Sequence, residues 1–206
     1  SAIPMVPEEL TEADFYSRAS VQAAYEQGLV PLGLDLETVE LVTWNLAKGN
    51  LLYLTDKEEQ MAALVKHIAK GKQKVIVLAP QYHSVQEIEN ILLISSEEDQ
   101  MDMIKTIKSK IAERLEAGSR EHVVTIIIYN LSELVQMLTI DMQEQLEFIL
   151  EKGLKAGYAS IIVTSANLNR NIDPISKMAK NYKQALLGMR ISDQSILTVT
   201  NRSVRE

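Results

Sequence analysis

The chain is 206 residues long, with 21 Lys and Arg against 28 Asp and Glu and a formal net charge of -7. That length supports one sizeable core, and 46% hydrophobic with 24% charged residues is the balance of a folded domain. The acidic excess argues against a protein that grips nucleic acid, which needs Lys and Arg to displace counterions from phosphates, and the lack of cysteine excludes disulfides, thiol nucleophiles and thiolate metal sites.

In chain order, residues 1–34 stand apart. They carry Pro4, Pro7 and Pro31, an acidic cluster at Glu8, Glu9, Glu12 and Asp14, and one short helical stretch in ADFYSRASVQAAYEQG (13–28). The expectation is a linker or docking arm from a preceding domain over 1–34, with the domain proper over 35–206. The opening SAIPMVPEEL lacks the charged-then-apolar order of a leader, which points to a piece excised from a longer protein. The lack of cysteine fits a reducing compartment, so the cytoplasm is expected, and the longest apolar runs fall far short of the roughly 20 residues of a membrane helix.

From Leu51 onward short apolar runs alternate with segments of helical period. LLYL (51–54), KVIVLA (74–79), VVTIIIY (123–129), SIIVT (160–164) and ALLGMRI (185–191) have the length and continuity of strands buried on both faces. Between them, Met61, Leu64, Val65 and Ile68 recur at helical spacing, as do Ile104, Ile107, Ile111 and Leu115. The second helix has a start signal in Ser95 or Ser96 followed by Glu97, Glu98 and Asp99, and Gly118 is its stop. Further helices are predicted from Asp141 to Lys152, closed by Gly153, and from about Pro174 to Tyr182. This order implies right-handed crossovers and an α/β fold, a mostly parallel sheet sandwiched by helices in three layers.

In an open parallel sheet the ligand site lies beyond the carboxyl ends of the strands. The first such loop reads TDKEEQMAAL (55–64). A phosphate loop there needs glycines whose N–H groups wrap the phosphates, a lysine, and a Ser or Thr for magnesium. Asp56, Glu58 and Glu59 put carboxylates where the anion would sit, and the plainer reading is a helix start stabilised by its own acidic residues.

These residues carry a resemblance. PLGLDLETVELVTWNLAKGNLLYL (31–54) resembles the approach to the phosphate loop in the FtsK/SpoIIIE family of motor ATPases, where a small hairpin precedes the first core strand. Laid on that family, Thr55, Glu58 and Gln60 occupy glycine positions, Met61 replaces the lysine and Ala62 the Ser/Thr. VTIIIYNLSEL (124–134) resembles the second nucleotide strand, with Tyr129 and Asn130 where an Asp-Glu pair holds magnesium and activates water. GLKAGYASIIVTSANLNR (153–170) is similar to the sensor segment, with Ser165 in place of a glutamine, and NYKQALLGMRISDQSIL (181–197) to the closing strand and helix start. The resemblance implies a RecA-like P-loop scaffold with altered nucleotide positions, as in the last ATPase-like domain of the type VII secretion branch. That family uses ATP and Mg2+; this domain is expected to use no cofactor.

The other candidates have plainer readings. His67, His83 and His122 lie in different elements without metal-ligand spacing. Ser84, Ser165 and Ser195 lack a nucleophile-elbow context. SSEEDQMD (95–102) has the composition of a calcium loop but not its central glycine or its spaced glutamate, and reads better as a solvated helix start. Arg170 in ANLNRNID (166–173), or Arg190, is a candidate to reach a neighbouring domain's phosphate, against solvent exposure as the ordinary fate of an arginine. Met61, Met101, Met103, Met137, Met142 and Met178 are candidates for grooves that adapt to partners, against core packing as the commoner role.

The resemblance therefore implies a cytoplasmic domain of a membrane-anchored type VII secretion protein, nucleotide-deficient, serving export by docking. The expected partners are neighbouring ATPase-like domains of the same protein and secreted proteins or their chaperone-like partners. Membrane contact is expected only through the full-length protein, and nucleic acid is not expected. Two alternatives remain: a weak ATPase using Lys57 and Thr55 as unusual ligands, and a DNA translocase, which predicts a salt-sensitive gel shift.

Overall fold

The apolar runs become the strands of one parallel sheet. The computed structural model describes residues 12–34, 40–79, 85–165, 170–182, 184–187 and 204–205. Strands β3 (Leu51–Leu54), β4 (Lys74–Leu78), β5 (Ile91–Ile94), β6 (Val124–Tyr129), β7 (Tyr158–Thr164), β8 (Gln184–Leu187) and β9 (Val204–Arg205) lie in the order β5-β4-β6-β7-β3-β8-β9. Every neighbouring pair is parallel. An antiparallel hairpin of β1 (Val30–Leu34) and β2 (Leu41–Trp44) precedes them, where the resemblance placed one.

Successive strand residues enter opposite layers, so one apolar run supplies two cores. Leu52, Leu54, Ile126, Ile128 and Ile162 face α4 (Glu97–Ala117), α5 (Leu131–Met137), α6 (Ile140–Lys152) and α7 (Pro174–Lys180). Leu51, Tyr53, Val77, Ile127 and Val163 face α3 (Glu58–Ala69) and the hairpin, whose Val30, Leu32 and Trp44 join the same cluster. The predicted three-layer α/β architecture is the one observed. Among the described residues, no helix is long and apolar enough to cross a membrane.

Helices α1 (Glu12–Ser17) and α2 (Ala19–Glu26) pack on α3, burying Phe15, Val21 and Ala24. His67 is the fixing point. Its Nδ1 lies 2.9 Å from the Tyr16 hydroxyl, and its carbonyl accepts from the Tyr25 hydroxyl at 2.5 Å. Burial pushes the Tyr25 phenol well above its usual range, which keeps it protonated as a donor. The Lys70 ammonium sits 4.0 Å from the Tyr16 ring centre and closes the cluster from outside.

Most helix limits follow the sequence signals. The Ser96 hydroxyl accepts from the Asp99 N–H at 3.1 Å, and Gly118 ends α4 in the left-handed region at φ 66°. Helix α6 ends at Lys152 with Gly153 as its C-cap, as predicted, but Gly153 keeps a right-handed φ of -57° and the chain runs on through a 3-10 turn, Gly153–Ala156, to the left-handed Gly157. A side chain at 153 would meet the Tyr158 carbonyl at 2.9 Å, so glycine is there for close approach. Helix α7 stops at Lys180, short of Tyr182, and β7 starts at Tyr158, two residues earlier than predicted.

His122, just before β6, places Nε2 3.1 Å from the buried Thr125 hydroxyl. Burial lowers its pKa below 6.5, with a hydrogen bond to the Val124 backbone opposing the shift. Between its folded and unfolded pKa values the unfolded chain then binds more protons, so stability rises with pH there. His122→Gln is expected to remove one component of the stability lost as pH falls below 6.5. Urea midpoints of both proteins from pH 7.5 to 5 check this, and parallel curves would contradict it.

Candidate functional site

Three adjacent strands, β6, β7 and β3, end side by side at the carboxyl edge of the sheet. Leu54 pairs with Thr164 and Tyr129 with Val163, so Thr55 follows level with Ser165, and Asn130 one residue short of them, level with Thr164. Backbone bonds lock the row: the Thr55 N–H donates to the Thr164 carbonyl, and the Asn130 N–H to the Val163 carbonyl, each at 2.9 Å. The fold thus brings together the positions the sequence placed in the phosphate loop, the magnesium strand and the sensor.

The β3–α3 turn is short and closed by its own side chains. Thr55 is buried; its hydroxyl donates to Gln60 Oε1 at 2.6 Å and accepts from the Lys57 N–H at 3.1 Å. Helix α3 begins at Glu58, so Glu58, Glu59 and Gln60 are already helical. Met61 is fully buried in the cluster of Leu64, Val65 and Tyr53, and Ala62 packs half-buried beside it. Asp56, Lys57, Glu58 and Glu59 are exposed, with Glu58 and Glu59 in the first helical turn where the dipole favours carboxylates.

On the neighbouring strands, Tyr129 is half-buried against the α3 layer, and Asn130 takes a left-handed φ of 57° as α5 begins at once. Ser165 is half-buried. Just before α7, Asn171 Nδ2 bonds the Ser132 hydroxyl of α5, and the Lys180 ammonium donates to the Asn171 carbonyl at 2.6 Å. Asp173 caps α7, taking the Ser176 N–H at 2.8 Å and its hydroxyl at 2.6 Å. Arg170, just before Asn171, is exposed; Arg190 lies outside the described residues.

Several readings are resolved by position. Met61 and Met142 are buried, and Met101, Met103, Met137 and Met178 pack partly buried against the core, so all six serve packing and not an open groove. Among the described residues, no group of three or more His, Asp or Glu has metal-binding geometry. The acidic run from Ser95 is a helix start, as predicted. Asn171, Ser132 and Asp173 were missed, although Asp173, followed by Pro174 and three residues before Ser176, is a readable cap signal.

A parallel sheet between helical layers, with the order β4-β6-β7-β3-β8 and a site row at its carboxyl edge, is the three-layer α/β fold of the ATPase domains on which the chain superposes. No family model matches the chain. Among curated proteins it is similar to the type VII secretion system protein EssC of Staphylococcus aureus (strain MRSA252), 23% identical over 211 residues. That match takes in 97% of this chain and 14% of the relative, so the chain spans about one seventh of its length. Among solved structures, ATPases 2 and 3 of EssC from Geobacillus thermodenitrificans superpose with a TM-score of 0.79 at 18% identity, covering 98% of this chain and 41% of that one. The cytoplasmic domain of EssC gives 0.74 at 18% identity, covering 98% and 44%. ATPases 2 and 3 of Thermomonospora curvata EccC, solved with a signal sequence peptide, give 0.70 at 17%, covering 98% and 40%. The resemblance to FtsK/SpoIIIE-like ATPase modules of type VII secretion is borne out in sequence likeness and in fold.

Proposed function

We propose that this chain is a cytoplasmic ATPase-like domain of a membrane-anchored type VII secretion motor, in which the nucleotide site has become a structural turn. It acts by docking neighbouring ATPase-like domains and secreted proteins or their chaperone-like partners, without ATP or magnesium. The observation that carries this reading is the Thr55 hydroxyl, engaged by both Lys57 and Gln60, with Met61 in the core where the resemblance expects a lysine. A phosphate loop presents free N–H groups around an anion; this turn fills that space with its own side chains and adjacent carboxylates. The likeness to EssC supports the secretion role, and the EccC structure with a signal sequence peptide supports docking.

Exposed Lys57, at the N-cap of α3 on the same edge, favours the second reading, a weak ATPase with unusual ligands. Calorimetric titration with ATP and magnesium decides between them. No saturable heat up to millimolar ATP is expected. Micromolar binding would overturn the nucleotide-free site, and its loss in Lys57→Ala would establish the second reading.

A further inference from the structure

The edge of the sheet opposite β9 is formed by β5, which among the described residues pairs only with β4. Its sequence, Ile91-Leu92-Leu93-Ile94, is that of an interior strand, yet none of the four is fully buried and Leu92 is 49% exposed. Exposed edges are ordinarily blunted by a charge or a proline, and β5 contains neither. Its Ile94 carbonyl accepts from the Ala79 N–H at 3.1 Å and so faces β4. The alternation of a strand then turns the N–H and C=O groups of Ile91 and Leu93 outward, and no described residue of the chain bonds them there.

The charge around this strand is one-sided. From Val75 to Ile104 the chain carries six acidic residues, Glu87, Glu89, Glu97, Glu98, Asp99 and Asp102, and no Lys or Arg. Glu87 and Glu89 are exposed before β5; Glu97, Glu98 and Asp99 are exposed after it. The net charge of this stretch nearly equals the -7 of the whole chain. A second copy pairing edge to edge would set these carboxylates against their equals, which costs stability at close range.

We propose that β5 is a strand-addition site for an extended apolar protein segment bracketed by Lys or Arg. The backbone of Ile91 and Leu93 supplies the pairing, Leu92 the apolar contact, and the carboxylates at both ends the selection of basic brackets. This site is distinct from the carboxyl-edge row and stands whether or not that row binds nucleotide.

The test uses the 206-residue chain and a fluorescent peptide of alternating Val and Thr with two lysines at each end, read by anisotropy. Binding is expected to weaken at least tenfold when the lysines become glutamates. It should also be lost when alternate peptide nitrogens are methylated, because the pairing bonds are removed without touching the protein. Leu92→Lys, at a half-exposed position, should weaken binding at least tenfold with an unchanged urea midpoint. No binding, equal binding of both charge types, or binding indifferent to methylation would overturn the proposal. So would self-association in sedimentation that Leu92→Lys abolishes, since the occupant would then be a second copy.

Discussion

Met61→Lys, which restores the lysine the family resemblance places in the phosphate loop, is expected to destabilise the domain by about 4 kcal/mol and to create no ATP binding. Position 61 points into the layer between α3 and the sheet, fully buried with Leu64, Val65 and Tyr53. An ammonium there must give up its hydration or its proton, and buried lysines shift by up to roughly 3–5 pKa units, at about 1.4 kcal/mol each. Met61→Leu separates charge from packing, since a volume-conserving swap costs less than about 1.5 kcal/mol. Urea denaturation of both variants with an ATP titration of each checks the result. A stable Met61→Lys protein that binds micromolar ATP would show that the Thr55 turn opens readily.

Gly157→Ala should be as damaging at the opposite end of the sheet. Gly157 lies at φ 81°, where a β-carbon alone costs about 1–2 kcal/mol. Here that carbon would also fall 1.9 Å from the Glu121 carbonyl oxygen. The chain must move, and the bonds that move with it are those of Arg114, which donates to the carbonyls of Ala156 at 2.6 Å and Glu121 at 2.8 Å. A loss of about 3–5 kcal/mol is expected. Gly118→Ala is the control: φ is 66° but no atom lies within 4 Å of the new carbon, so only the conformational cost of about 1 kcal/mol applies. Equal losses in the two variants, measured by chemical denaturation, would mean that the overlap at 157 relaxes freely.

The parts of the fold legible in the sequence are those where one signal dominates. Runs such as Ile126–Ile128 are apolar throughout because both faces are covered, and Ser96 with three following acids marks a helix start by local chemistry alone. β5 was passed over because four apolar residues between polar flanks are too short to show a period. Helix α5 was passed over because its cap, Asn130, abuts β6 with no intervening loop, so strand and helix read as one apolar stretch. At Gly153 two glycine uses compete, chain reversal and close approach, and residue type does not distinguish them. The candidate row was legible by position, since strand ends in a parallel sheet must align. The bond from Thr55 to Gln60 was not, because alignment to a glycine-rich loop records Gln60 as a lost glycine and is silent on what the new side chain does.

The placement of β3 has a consequence in time. It is the first strand of the sheet to leave the ribosome, yet its neighbours on both sides, β7 and β8, come more than a hundred residues later. Until about residue 187 has emerged, Leu51–Leu54 has no slot to enter, and its four side chains, destined for both layers of the interior, stay exposed on the nascent chain. At about 5–20 residues per second that interval lasts roughly 7–27 s, long compared with the formation of α3 beside it. The newly made domain therefore passes through a period when it is a natural client for a holding chaperone.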